Sequence, residues 1–312
     1  MDIISKKYWY FIFSLIIIIP GIISLMLWGL NLSIDFTGGS RIKYEVNSKL
    51  KTQNSKLQVK SEKLEDNLVN IFTQEKIKIV SIQKSGNNIY IVRTIPLDQQ
   101  NHEKVNSALS KDIPGIKEVE FETIGPTIGN ETTTNAVKGV LLACVLIVIY
   151  IAWAFRKVPK PASSLRFGIC AIVALVHDIL LVVGFFSILG HFFKVEVDSL
   201  FVTALLTVLG FSVHDTIVVF DRIRENLRRM AGTPFEKIVN DSILQTLGRS
   251  LNTSLTVLLV LFTLLLFGGE SIKWFVVALL IGVASGTYSS IFNAAPLLDV
   301  WEEWSRKKSN NS

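Results

Sequence analysis

The sequence contains very little cysteine. Cys144 and Cys170 are the only cysteines among 312 residues, and both lie within long apolar runs. A disulfide framework needs several cysteines that can pair, and a CxxC metal site needs two cysteines close together in the chain. Both kinds of site are therefore excluded, and we expect these two side chains to fill small spaces beside helices.

Glycine-rich nucleotide loops are absent as well. The segment Asp35-Phe36-Thr37-Gly38-Gly39-Ser40 lacks the GxGxxG and GxxxxGK[ST] spacings. Its paired glycines permit positive φ, so we predict a turn that leads into a strand. His102 has no neighbouring His, Cys or carboxylate cluster, which favours a surface position over a ligand or catalytic role. No cofactor, metal ion or enzymatic activity is predicted.

Six stretches of the chain almost lack charge. Although 32 residues are Lys or Arg, 49% of the chain is apolar. A membrane-spanning helix needs roughly 20 mostly apolar residues. The segments of this length are Tyr8–Leu30, Ala136–Phe155, Leu165–Leu189, Ser199–Phe220, Leu251–Phe267 and Ile272–Leu298. The sequence therefore predicts a polytopic α-helical membrane protein with six transmembrane helices, the first of them too long for a signal peptide core.

The short loops differ in their content of Lys and Arg, which collect on the cytoplasmic side of membranes. Lys and Arg are frequent at both chain ends and in the loops between the second and third spans and between the fourth and fifth spans. The opposite short loops, Gly190–Asp198 and Gly268–Ser271, carry only Lys194. Both termini are predicted to be cytoplasmic. The formal net charge of +6 is then mainly a topology signal, and nucleic-acid binding explains it poorly.

The region between the first two spans is predicted to be a domain outside the cytoplasm. Its pattern reads strand, helix, strand, strand, helix, strand, which is the order of an α+β ferredoxin-like domain. The Lys- and Asn-rich insertion around Ser48–Lys60 has no assigned role. The predicted organisation is a cytoplasmic N-terminus with the first span over 1–30, the outer domain over 31–134, the remaining five spans over 135–298 and a cytoplasmic tail over 299–312.

Asp215 lies inside the fourth apolar run, SLFVTALLTVLGFSVHDTIVVF. A charge in the middle of a membrane costs at least about 2.5–3.5 kcal/mol, so such a residue is a functional candidate whose partner should be sought. Ser212 and Thr216 lie next to it on the helix. The fifth span enters from the same side with Arg249, which should reach a depth comparable with that of Asp215.

The Asp215 and Arg249 pair is predicted to lie on a proton pathway. The fifth span offers further polar side chains to this pathway at Asn252, Thr253 and Thr256. Burial and a neighbouring guanidinium act in opposite directions on a carboxylate, so relative movement of the two would switch its charge state. Arg249 stays charged and would act as an electrostatic gate. The alternatives are a static ion pair that fixes helix packing, or an Arg249 that reaches the membrane surface.

A second polar pair, His177 and Asp178, lies in the third span. It would extend the proton pathway, or His177 would serve as a packing group bonded to a neighbouring helix. His214 points about 100° away from Asp215 around the helix. The small residues of the sixth span, among them Gly282, Ser285, Gly286 and Ser289, permit close helix contact.

The chain resembles the SecF subunits of the SecDF protein-export complex, which are relatives of the RND proton-driven transporters. The resemblance covers nearly the whole length through IDFTGGS, VHDTIVVFDRIREN, QTLGRSLNTS, FGGESI and GVASGTYSSIF. It implies an RND-like half bundle, with Asp215 and Arg249 as the functional membrane residues. It also implies a separate SecD partner, the SecYEG translocon, YajC-type and YidC-type accessory proteins and an unfolded exported polypeptide.

The resemblance further implies a bacterial inner membrane, or a thylakoid membrane in a source that has one. A stand-alone exporter of small molecules would share Asp215 and Arg249 but would need a homodimer, because six spans are half of the usual transporter. The coupling ion also has an alternative. Asp and Arg suit protons, whereas Na⁺ needs several oxygen ligands, which the nearby hydroxyl groups could supply.

Overall fold

The computed structural model describes residues 2–46, 61–85, 88–113, 115–156, 158–159 and 163–310. The insertion around Ser48–Lys60 lies outside the described residues. The chain forms two compact units: Met1–Asn31 with Ala136–Ser312, and Leu32–Asn135. The larger unit is helical, and the smaller unit contains a β-sheet.

The described residues of the smaller unit form four strands and two longer helices. After a short helix α2 (Ile34–Thr37), the elements are β1 (Gly39–Val46), α3 (Ser61–Gln74), β2 (Ile79–Ser85), β3 (Ile89–Thr94), α4 (Gln99–Asp112) and β4 (Ile116–Ile124). All neighbouring strands are antiparallel, in the order β2-β3-β1-β4. The alternating strand pattern and the apolar helix faces meet in one core, where Tyr44, Leu68 and Phe72 are fully buried.

The glycine pair after α2 adopts the predicted backbone conformation. Gly38 and Gly39 have φ angles of 70° and 129°, which side chains rarely adopt. A Cβ atom on Gly38 would also lie 2.9 Å from the Cα atom of Pro126. The two glycines therefore allow a close backbone crossing at the start of β1.

Among the described residues, six helical stretches are long and apolar enough to cross a membrane, which confirms the predicted number of spans. The helices are α1 (Lys7–Trp28), α5 (Pro126–Ala154), α6 (Ser164–Phe193), α7 (Ser199–Arg229), α8 (Phe235–Phe267) and α9 (Lys273–Ser289). The sixth stretch ends later than predicted. A π-helical turn, Ser290–Ala294, follows α9, and the helix then continues as α10 (Ala295–Asn310). The predicted tail therefore begins within a helix.

Small residues set the closest helix contacts. A Cβ atom on Gly184 of α6 would lie 2.7 Å from the Cα atom of Gly21 of α1, and a Cβ atom on Gly282 of α9 would lie 2.9 Å from the Cβ atom of Val208 of α7. Only glycine permits such approaches, because ordinary carbon contacts are about 3.5–4.0 Å. The second contact brings α7 and α9 close enough for short polar side chains to meet.

An ion-pair cluster joins α1 to α10. Lys7 Nζ lies 2.8 Å from Asp299 Oδ2 and 3.0 Å from Glu303 Oε1, and the side chains of Lys7 and Asp299 are only 7% and 1% exposed. Arg166 of α6 also pairs with Glu302 of α10. The cluster ties the first and third spans to the last helix.

Candidate functional site

Asp215 lies near the middle of α7 and is 2% exposed. Helix α7 is well formed at its start, where the Asp198 side chain accepts a hydrogen bond from Phe201 N at 2.9 Å. The inward face of the helix alternates apolar side chains with short polar ones. The carboxylate of Asp215 is therefore held inside a helix bundle, away from the exposed faces that would meet lipid.

Three hydroxyl groups interact with the Asp215 carboxylate: Ser250 and Ser254 of α8, and Thr287 of α9. The Ser254 and Thr287 hydroxyls also bond to each other at 2.6 Å. Two atoms of the group, Asp215 Oδ2 and Ser250 Oγ, are buried without a hydrogen-bond partner of good geometry in the described part of the chain. The site thus keeps unused hydrogen-bonding capacity beside a buried carboxylate.

The predicted contact between Asp215 and Arg249 is not formed within the described residues. Arg249 is exposed, whereas Ser250 is buried. Neighbouring residues on a helix lie about 100° apart, and the face of α8 that turns inward carries the i, i+4 pair Ser250 and Ser254. The sequence predicts that Arg249 and Asp215 lie at a similar depth in the membrane. It does not indicate which face of α8 turns towards Asp215.

The other polar residues predicted from the fifth span share the outward face with Arg249. Asn252, Thr253 and Thr256 are all exposed. Thr256 Oγ1 donates to the Asn252 carbonyl oxygen of its own helix at 2.8 Å. These three residues therefore do not line the bundle interior beside Asp215, and they form an exposed polar face with Arg249. We call the four residues the α8 polar face.

Asp178 of α6 is another buried carboxylate near the middle of a spanning helix, with 1% exposure. Four groups surround it: Ser212 Oγ at 2.5 Å, Ser285 Oγ at 2.6 Å, Ser289 Oγ at 2.7 Å and His177 Nδ1 at 3.0 Å. Ser212, which was expected beside Asp215, thus bonds to Asp178. Ser285 and Ser289 were read as packing residues, although their i, i+4 spacing was a signal that both lie on one face.

The remaining predicted residues occupy separate positions. Thr216 Oγ1 bonds to Ser290 Oγ at 2.8 Å, at the start of the π-helical turn. His214 is exposed, as its position on α7 predicts. His177 Nε2 is buried without a hydrogen-bond partner in the described residues.

His102 of the smaller unit bonds through Nε2 to Glu118 Oε2 at 2.8 Å and stacks on the ring of Phe121. This carboxylate partner was not foreseen. Among the described residues, no group of three or more His, Cys, Asp or Glu side chains has the arrangement of a metal site.

The sequence matches two family models. Residues 104–304 match a model described as protein export membrane protein SecD/SecF, C-terminal. Residues 29–49, which include the glycine pair, match the SecD/SecF GG motif.

Similar proteins share most of the chain. A protein translocase subunit SecF of Thermobaculum terrenum is 46% identical, with 97% of this chain and 94% of that protein covered. The corresponding subunit of Anaerolinea thermophila is 43% identical, with 97% and 96% covered. The crystal structure of SecDF from Thermus thermophilus, described as a translocon-associated membrane protein, has a TM-score of 0.80 and 30% identity. That comparison covers 97% of this chain but only 39% of the solved chain.

Proposed function

The chain belongs to the SecD/SecF family of protein export membrane proteins, and we propose that it is a SecF subunit that couples the proton-motive force to protein export. It acts with a SecD subunit to promote the passage of proteins through SecYEG. The observation that carries the coupling mechanism is Asp215, a buried carboxylate in a membrane helix, which is surrounded by hydroxyl groups. Because the similar proteins are translocase subunits, a small-molecule exporter is no longer favoured.

Asp215 can serve as the site where the coupling proton binds. A carboxylate that takes up a proton becomes neutral, which removes the cost of its charge within the membrane. Asp215 Oδ2 has no hydrogen-bond partner in the described chain and is free to carry that proton. The hydroxyl groups of Ser250, Ser254 and Thr287 can each donate or accept a hydrogen bond, so they can adjust to either charge state.

Arg249 supplies a fixed positive charge to the same cycle. Its guanidinium keeps its proton under all physiological conditions, and it lies one residue from Ser250. A change in the packing of α8 that turns this part of the helix would bring Arg249 towards Asp215. We propose this movement as the electrostatic gate that favours release of the proton.

The α8 polar face supports a SecD partner. Polar and charged side chains rarely face lipid, and they usually face protein or water inside a membrane. Arg249, Asn252, Thr253 and Thr256 are exposed on one side of α8. The chain spans about two fifths of the length of the solved SecDF chain, so that fused protein contains a further portion. We propose that a SecD subunit covers the α8 polar face.

Cross-linking tests this contact. With Cys144 and Cys170 replaced, a single cysteine at Thr253 should cross-link to cysteines placed in the membrane helices of SecD. The matched control is a cysteine at Leu255, which is 56% exposed and lies about 160° from Thr253 around α8; it should not cross-link to SecD. Equal cross-linking at both positions would contradict the assignment of the face.

The smaller unit is proposed to be a ferredoxin-like domain outside the cytoplasm that contacts the exported polypeptide. Its element order and antiparallel sheet order β2-β3-β1-β4 support this fold. The proposed location is a bacterial inner membrane, or a thylakoid membrane in a source that has one, with both termini cytoplasmic. YajC-type and YidC-type proteins are proposed as further partners.

Inverted membrane vesicles test the proposed function. Precursor import into vesicles that contain the chain and SecD is measured with the proton gradient and the sodium gradient collapsed separately. We expect loss of the proton gradient to remove the stimulation due to the chain, while loss of the sodium gradient leaves it. Stimulation that survives loss of the proton gradient would contradict proton coupling.

A further inference from the structure

Asp178 is a second carboxylate in the middle of a membrane helix. It lies near the centre of α6 (Ser164–Phe193) and is 1% exposed. An ionised side chain is strongly disfavoured at such a position in a membrane. Helix packing alone does not require a carboxylate there, because Asn or Ser would also provide hydrogen bonds between helices.

The groups that contact Asp178 do not provide a fixed positive charge. In the described part of the chain, no Lys or Arg forms an ion pair with it. Its contacts are Ser212 from α7, Ser285 and Ser289 from α9, and His177 from its own helix. Other titratable groups nearby are Tyr288 of α9, whose ring lies 6.5 Å from that of His177, and Asp215, three residues beyond Ser212 on α7.

His177 is the contacting group that can become positive, and it does so by binding a proton. Its Nδ1 lies 3.0 Å from Asp178 Oδ1, and its Nε2 is buried without a partner in the described residues. The charge of the Asp178 cluster can therefore be balanced by protons, since its own side chains offer no permanent cation.

The position of Asp178 relates it to the proposed proton site. Ser212, which donates to Asp178, precedes Asp215 by three residues, about 4.5 Å along the axis of α7. Helix α9 contacts both carboxylates, with Ser285 and Ser289 towards Asp178 and Thr287 towards Asp215. The two carboxylates thus share α7 and α9 as neighbours: Asp178 lies where α6 meets these two helices, and Asp215 of α7 lies towards α8 and α9.

We propose that Asp178 is a second proton-binding residue of the bundle, and that coupling requires protons to bind at both Asp178 and Asp215. This inference rests on the proposed function and adds a second site to it. Binding of a proton converts the Asp178 carboxylate to a neutral carboxyl group, and its release restores the carboxylate. Ser212, Ser285 and Ser289 can remain bonded in both forms because each hydroxyl can donate or accept.

The substitution Asp178→Asn separates proton binding from hydrogen bonding. The amide oxygen can accept from Ser285 and His177, while the two N–H groups can donate to Ser212 and Ser289. The variant therefore keeps every contact between α6, α7 and α9 but cannot bind a proton. Asp178→Leu, of similar size, removes the contacts as well.

Proton-gradient-dependent export is measured in inverted vesicles that contain the full chain, SecD and SecYEG. Assembly with SecD and the thermal unfolding temperature are measured in parallel. We expect Asp178→Asn to reduce the gradient-dependent stimulation at least tenfold, the effect also expected of Asp215→Asn, with wild-type assembly and unfolding temperature. The matched control is Ser187→Ala on the same helix, which removes buried bonds to Ser24 and the Gly29 carbonyl oxygen and should retain stimulation.

Wild-type stimulation in Asp178→Asn would overturn the inference, and a defect confined to Asp178→Leu would assign Asp178 to helix packing alone. If Asp215→Asn is inactive while Asp178→Asn is active, only the second site fails. If Asp215→Asn also stimulates normally, the proposed function fails too.

If Asp178→Asn does not assemble with SecD, a further variant tests proton binding at Asp178. The double substitution Ser285→Ala and Ser289→Ala keeps the carboxylate but removes two of its hydrogen-bond donors. Hydrogen bonds from hydroxyl groups stabilise a charged carboxylate, so their loss should displace the pH profile of gradient-driven export from that of the wild-type chain. An unchanged pH profile in this variant would exclude proton binding at Asp178.

Discussion

Gly282 controls the distance between α9 and α7, and its replacement by alanine should separate the two helices. A Cβ atom at this position would lie 2.7 Å from Val208 Cγ1 and 2.9 Å from Val208 Cβ. Rotation of the valine moves its methyl groups but leaves its Cβ atom in place. Because carbon atoms in contact are about 3.5–4.0 Å apart, the helix backbones must move apart by about 1 Å.

The expected cost combines two opposing effects. Overpacking of a well-packed interior costs about 1–3 kcal/mol, whereas Gly to Ala in a helix gains about 1 kcal/mol. Gly282→Ala should therefore lower the free energy of unfolding by up to about 2 kcal/mol, or up to about thirtyfold in the ratio of folded to unfolded protein. The same movement would draw Ser285 and Ser289 of α9, which bond to Asp178 at 2.6 and 2.7 Å, away from Ser212 of α7, which bonds to the same carboxylate at 2.5 Å.

Thermal unfolding in detergent, followed by the loss of the monodisperse peak in gel filtration, measures this effect. The matched control is Gly210→Ala on α7, where an added Cβ atom would meet no atom within 4 Å. The control should be as stable as wild type or more stable. If Gly282→Ala unfolds at or above the temperature of Gly210→Ala, the reasoning from close helix contact is refuted.

Two other substitutions test the energetics of buried polar groups by unfolding of the purified chain. Burial raises the pKa of the Tyr44 hydroxyl, so the group is neutral, and it has no hydrogen-bond partner in the described residues. Tyr44→Phe should therefore stabilise the smaller unit by about 1 kcal/mol or more, and by the same amount across neutral pH. A loss of stability in this variant would contradict the prediction. Lys7→Met leaves Asp299 buried without its cation and should cost about 3–5 kcal/mol. Adding Asp299→Leu should restore most of that loss, and equal instability of the single and double variants would count against the ion pair.

The sequence was sufficient to predict the elements of the fold. The six apolar stretches and the strand and helix order of the smaller unit depend on local patterns, namely run length and periodicity, which the chain carries directly. The π-helical turn at Ser290–Ala294 was not predicted. It lies among tertiary hydrogen bonds, such as that between Ser290 and Thr216, which no local pattern encodes.

The candidate site was predicted only in part. Asp215 stands out in the sequence because a charge in an apolar run is anomalous whatever its neighbours are. Its partners depend on the rotation of α8, and one residue of rotation decides whether Arg249 or Ser250 turns inward. Ser285 and Ser289 are interpreted from the sequence as packing residues, because serine in a membrane helix usually has that role. Only the position of Asp178 on a different helix gives them another role.

The central claim is that Asp215 binds the coupling proton. The most direct measurement compares precursor export in cells whose only copy of the chain carries Asp215→Asn, at equal amounts of complex assembled with SecD. The control is Asp221→Asn on the same helix, where the carboxylate is exposed and pairs with Arg224. We predict that Asp215→Asn assembles normally but loses the stimulation of export, while the control retains it. Wild-type export in the Asp215→Asn cells would contradict proton binding at Asp215.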